Sequence, residues 1–176
     1  MAMTPDVLHQ VYQGVFTHLL DWCQDIVGKE ELDNHLKRFA PSFGIQHFKK
    51  GFFTLTNVSG PERKQMAKLL LGAMARAAPK DVIQCCRALL DFAFIAQYPS
   101  HNEATLGYLE TALEIFHSHK DIFIKLGIRE HFNIPKLHSL LHYSTSIRLF
   151  GAADNYNTEM FERLHINFEA RLSSFQ

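Results

Sequence analysis

The chain has 176 residues, 47% of them hydrophobic and 20% charged, and its formal net charge is zero. That length and composition fit one globular domain with a substantial core and exclude a disordered chain. Zero net charge argues against a free-standing nucleic-acid binder, and no apolar run approaches the roughly 18–20 residues a membrane-spanning helix needs, so no membrane partner is expected.

The N-terminus, Met1-Ala2-Met3-Thr4-Pro5-Asp6, has no basic stretch ahead of an apolar one, so a secretory signal is not expected. Thr4 reads as the cap of a first helix, with Pro5 at its first position and Asp6 complementing the helix dipole. Val7, Leu8, Val11, Val15, Leu19, Trp22 and Ile26 recur at spacings of three and four as one buried stripe, and Gly28 is a natural stop. A short charged helix follows from Lys29 to Phe39, ahead of Pro41. Residues 41–60 are irregular, punctuated by Pro41, Gly44, Gly51, Asn57 and Gly60, and Phe52-Phe53-Thr54-Leu55-Thr56 reads either as a short strand or as an apolar anchor.

Pro61 opens a helix reaching Ala77, with Met66, Leu69, Leu70 and Met74 as its apolar positions. The next, Pro79 to Gln97, is apolar nearly all round and is therefore expected at the centre. Ser100 with Glu103 reads as a capping box for a helix that carries Leu106, Leu109, Leu113 and Phe116 and runs to Leu126. Pro135 starts a helix ending near Phe150. Asp154 or Asn155 starts the last, striped by Phe161, Leu164, Phe168, Leu172 and Phe175. The expectation is an all-α fold, a single compact domain spanning 1–176 with about seven or eight helices. The three cysteines, two of them the adjacent Cys85 and Cys86, read as small buried hydrophobes of a reducing, intracellular compartment.

Two helix motifs carry the candidate chemistry. Asp6 and His9 lie about 60° apart on one helix face, so both can reach one ion; the plainer reading is a dipole-stabilising acid beside a solvated histidine. His138 and His142, four apart, project from one side of their helix and suit two imidazole ligands of one metal, or are two unrelated histidines among the 11. Ser139 stands where a zinc protease has Glu, which counts against that activity. Together Asp6, His9, His138 and His142 would make a closed, structural zinc site tying the two ends of the chain. Glu159, seventeen residues past His142, reads as a surface acid paired with Arg163 or as a cation-binding carboxylate.

Charge is unevenly spread. Residues 1–88 hold 11 Lys and Arg against 8 Asp and Glu; residues 89–176 hold 7 against 10. Lys37, Arg38, Lys49, Lys50, Arg63, Lys64 and Lys68 form a candidate phosphate-facing patch, or a solvated face.

Several stretches resemble the C-terminal half of fungal Plavaka-type DNA transposases, relatives of the CACTA superfamily: Pro5-Asp6-Val7-Leu8-His9-Gln10, Ala88-Leu89-Leu90-Asp91-Phe92, Ala96-Gln97-Tyr98-Pro99, His119-Lys120-Asp121-Ile122-Phe123, and His131-Phe132-Asn133-Ile134-Pro135-Lys136-Leu137-His138-Ser139. Asp154-Asn155-Tyr156-Asn157-Thr158-Glu159 and Glu162-Arg163-Leu164-His165-Ile166 continue the likeness, which runs from Thr4 to Ile166. The resemblance implies an RNase H-like enzyme with an Asp, Asp, Glu triad that holds magnesium or manganese and cuts DNA, with a helical insertion before the Glu. It implies that Asp6-Val7-Leu8-His9 matches the motif after the second Asp and that Glu159 is the triad Glu. In the related V(D)J recombinase a zinc site joins the similar motif to a histidine pair, the place His138 and His142 occupy here.

The first two catalytic Asp residues belong on strands upstream of Asp6, and the likeness stops after Ile166. The expectation is a truncated, transposase-derived fragment, inactive alone, without a small-molecule substrate, and nuclear if it works as part of a transposase. Two alternatives are a helical interaction module that docks on full-length transposase or on itself, and a small helical metalloprotein using His138, His142 and a carboxylate.

Overall fold

Asp6 opens the first helix in the computed structural model, which describes residues 6–153. Its Oδ1 accepts from the amides of Leu8 (2.9 Å) and His9 (3.2 Å), satisfying donors that a helix start leaves without intrahelical partners. The cap is therefore Asp6 rather than Thr4, since one carboxylate reaches both amides. Helix α1 is π-wound over Val7–Val15 and continues as an α-helix over Phe16–Val27. Its buried pairs Val7/Leu8, Val11/Tyr12 and Val15/Phe16 repeat every four positions, which suits a turn wider than 3.6 residues. Tyr12 and Phe16, outside the expected stripe, are buried with it.

Helix α2, Lys29–Lys37, buries Leu32 and Leu36 together with Asp33. The Asp33 carboxylate explains the loop that follows. Its Oδ1 accepts from the amides of Phe52 (2.7 Å) and Phe53 (3.3 Å), pinning a turn beneath which the Phe48 and Phe52 rings meet edge to face at 4.7 Å. Gly51 sits at φ +89°, and a Cβ there would overlap the Asp33 carboxyl, so this glycine and this aspartate are matched. Phe52 to Thr56 is thus an apolar anchor and not a strand; among the described residues the only β pairing is an isolated bridge, Ser42 to Ile45.

Ser59 and Glu62 form a capping box at the start of α3, Gly60–Met74. Helix α4, Lys80–Ile95, buries eight side chains from Val82 to Ala93 and packs along α5 more than any other two elements pack, as its apolar character predicts. Helix α5, Glu103–His119, is capped by Asn102 and Thr105, not by Ser100 and Glu103: the Asn102 Oδ1 accepts from the Thr105 amide and the Thr105 Oγ1 from the Asn102 amide, each at 2.9 Å. The helix also ends earlier than Leu126. After a turn at Asp121, α6 is a single turn, Ile122–Lys125, which carries Phe123 into the core.

Helix α7 begins as Pro135–Ser139, tightens to a 3₁₀ turn over Leu140–His142, and resumes as Tyr143–Phe150. Arg148 on its last stretch pairs with Glu103 and Glu110 of α5, each at 2.9 Å. The described residues therefore make six helices and one single-turn helix, all α-class, around one core. Trp22 of α1 is its hub, meeting Phe123 at 4.9 Å and Phe132 at 5.5 Å, while Phe92 of α4 meets Tyr143 of α7 at 5.4 Å. The expected last helix lies outside the described residues, and no described helix is long and apolar enough to cross a membrane.

Candidate functional site

The structure pairs the four expected zinc ligands locally. Asp6 Oδ2 lies 2.8 Å from His9 Nδ1, with the histidine 43% exposed and the aspartate 15%. The other carboxylate oxygen is committed to the helix cap, so Asp6 is an anchor for the first turn and for the His9 ring. His138 and His142 are exposed and face each other edge to face, ring centroids 5.3 Å apart. Among the described residues no three His, Cys, Asp or Glu side chains gather about a common point. The donor set needed for a closed tetrahedral site is not assembled, and Asp6, His9, His138 and His142 form two dyads instead.

The segments bearing those dyads are nevertheless neighbours. The start of α7 packs on the π-wound half of α1. The contact is made by Lys136, whose aliphatic stem lies on Gly14 so closely that a Cβ at Gly14 would overlap it. His138, about 200° further round the helix than Lys136, is turned away from this seam. One turn along α1, the His18 ring stacks on Trp22 at 6.3 Å. Burial pushes the His18 pKa down, Asp21 opposes that shift, and the charges of Arg129 and Lys136 add to it. What joins the start of α7 to the π-wound half of α1 at this seam is therefore the aliphatic stem of Lys136 on Gly14.

On the other side of α7 lies a cleft of about 560 Å³ between the end of α5 and the start of α7. His117, Lys120, Asn133 and His138 are its polar lining, with Phe132, Leu137 and Leu141 among its apolar walls. Sequence reading missed all but His138 as functional candidates. The available signal was the spacing of His117 and Lys120, three apart on one helix face; Asn133 joins them only through the fold.

The expected basic patch is divided. Lys37, Arg38, Lys49, Lys50 and Lys68 are exposed. Arg63 is turned toward α1, its Nε donating to the Thr17 hydroxyl at 3.3 Å and a terminal nitrogen to the Val58 carbonyl at 3.4 Å. Lys64 lies over the Tyr12 ring at 5.7 Å. These two cations brace α3 against α1. Cys23, Cys85 and Cys86 are free and buried, and the Cys23 and Cys86 sulfurs are 3.6 Å apart. Burial raises the Cys85 thiol pKa, and the Cys23 contact followed by burial raises that of Cys86, so both are unreactive thiols. Glu159 lies outside the described residues. No family model matches the chain, and neither does any curated protein or solved structure.

Proposed function

We propose that this chain is the helical, Glu-bearing portion of a Plavaka-type DNA transposase, a module that presents Glu159 to a catalytic sheet and cuts no DNA by itself. The observation that supports this reading is the seam between α1 and α7. A helical insertion in a catalytic domain must bring the chain back to the place it left, so that the acid following it meets the acids preceding it. Packing of the Lys136 stem on Gly14 returns the Pro135–Ser139 segment to the Asp6–His9 segment, and both carry the resemblance. Two-metal phosphoryl transfer needs several carboxylates around a cation pair, so one glutamate cannot serve it.

The test uses the purified chain, supercoiled plasmid, and magnesium or manganese. Alone, the chain is expected to leave the plasmid intact. Mixed with a separately produced RNase H-like sheet half of a Plavaka-type transposase, it is expected to nick the plasmid, and Glu159→Gln is expected to abolish the nicking. Glu159-dependent nicking by the chain alone overturns the proposal, and so does nicking by the mixture that ignores Glu159→Gln.

A further inference from the structure

The outward face of α4 carries a repeat of its own. Lys80, Gln84, Arg87, Asp91, Phe94 and Tyr98 follow one another at spacings of four, three, four, three and four. At about 100° per residue they stay within about 40° of one line along the helix. None of the six is fully buried, and Lys80, Gln84, Arg87 and Tyr98 are exposed. An average spacing of about 3.5 residues is the one that lets a helix lie along a second helix. Two hollows of about 530 and 330 Å³ run beside this stripe between α4 and α5, and both are lined by Ala88, Asp91 and Ile115. They form one groove, with the small Ala88 at its middle and Ile83, Ile95 and Tyr108 as further apolar wall. From Lys80 to Tyr98 the stripe is roughly 27 Å long at the helical rise of 1.5 Å per residue.

Read in reverse, the stripe is its own complement. About a midpoint at Leu89, Arg87 falls opposite Asp91, Gln84 opposite Phe94, and Lys80 opposite Tyr98. We propose that a second copy of this chain packs antiparallel against α4 in this groove, about a two-fold axis at the level of Leu89. A two-fold interface is isologous, so each contact is made twice. Arg87 meets the partner's Asp91 on both sides of the axis, and Lys80 lies over the ring of the partner's Tyr98 at both ends. Tyr98 is set for this by stacking on His101, ring centroids 6.0 Å apart. Within one chain Arg87 Nε lies 3.5 Å from the Asp91 carboxylate, with the two side chains 70% and 49% exposed, and a pair so open to water contributes little. Between two copies the four charges alternate in sign and are withdrawn from solvent. A parallel arrangement would set arginine against arginine and aspartate against aspartate, so the same charges fix the direction of packing. Phenylalanine, tyrosine and arginine are also the residue types that interfaces concentrate. The proposal does not depend on the transposase reading, since it uses none of Asp6, His9 or Glu159.

The experiment is analytical ultracentrifugation of the full chain over a concentration series, with circular dichroism to check that each variant keeps its helices. The chain is expected to pass from monomer to dimer in the micromolar range. Arg87→Glu and Asp91→Arg each place like charges across the axis, and each is expected to weaken the dimer by about tenfold or more. The two substitutions made together in one chain restore opposite charges across the antiparallel seam and are expected to restore the dimer. Tyr98→Ala is expected to weaken it several-fold. Lys125→Glu, at an exposed position outside the groove, is expected to leave it unchanged. A chain that stays monomeric at millimolar concentration overturns the proposal and leaves the groove to a partner of another kind. A dimer that ignores both single charge reversals places the second copy on another face and overturns it too. So does a double reversal that folds but does not regain the dimer.

Discussion

Gly14 is the position at which the α1–α7 seam can be tested. A side chain there meets two neighbours of different stiffness: the flexible Lys136 stem, and the His9 carbonyl oxygen, which would lie 2.9 Å from the new Cβ. Gly14→Ala gains roughly 0.5–1 kcal/mol from restricting the unfolded chain and favouring the helix. Overpacking opposes this with about 1–3 kcal/mol. The expected net effect is a loss of about 1 kcal/mol. Lys136→Ala removes the overlapping stem, and in that background the new methyl meets only the carbonyl. Gly14→Ala should then cost less but not nothing, because the backbone carbonyl contact remains when the stem contact is gone. The double-mutant cycle should therefore give a coupling that exceeds the roughly 0.3–0.5 kcal/mol scatter of independent sites. Urea unfolding of the four proteins at a common m-value measures it. Additivity within that scatter, or a stabilising Gly14→Ala in the Lys136 background, refutes the seam.

Asp33→Ala removes a buried acceptor shared by the Phe52 and Phe53 amides; denaturant unfolding should show a loss of about 3 kcal/mol, and Asp33→Asn, which keeps an acceptor oxygen, a smaller one. Asp6→Ala should cost about 1 kcal/mol as a lost N-cap, while excess chelator should leave the melting temperature of the unmodified chain unchanged; one zinc per chain by elemental analysis would contradict the second expectation. Burial holds the pKa values of His18, His101 and His117 below the ordinary 6.5. As pH falls through 6.5 the unfolded chain takes up protons before the folded one, so thermal scans should show stability decreasing toward acid, and His117→Gln should flatten that slope.

How much of this was legible in the sequence depends on the range of the interaction. The helices were readable because their apolar positions recur locally; α4 was placed at the centre because it is apolar on every side. The caps were harder. Asp6, Asn102 and Ser59 each compete with a nearby residue of the same capping class, and a shift of two residues decides which side chain reaches the amides. The Phe52 turn was ambiguous for another reason: its organiser, Asp33, sits on the preceding helix, and nothing in the local pattern announces that a helix carboxylate will cap a distant loop.

The same distinction governs the site. Spacing alone brings Asp6 to His9 and His138 to His142, because three and four residues are one helical turn. Whether the two dyads meet is a matter of how α7 is rotated about its own axis, and the rotation is set by Lys136 on Gly14 and by the buried Leu137 and Leu140. Those contacts turn His138 toward the cleft shared with His117 and Lys120. A metal tie and a packed seam are two solutions to one problem, joining the first helix to one more than a hundred residues later. The metal solution needs converging donors; the packed one needs a residue without a side chain opposite a long aliphatic stem. The described residues supply the second, and it is the geometry of that seam, rather than the count of histidines, that turns His138 away from Gly14.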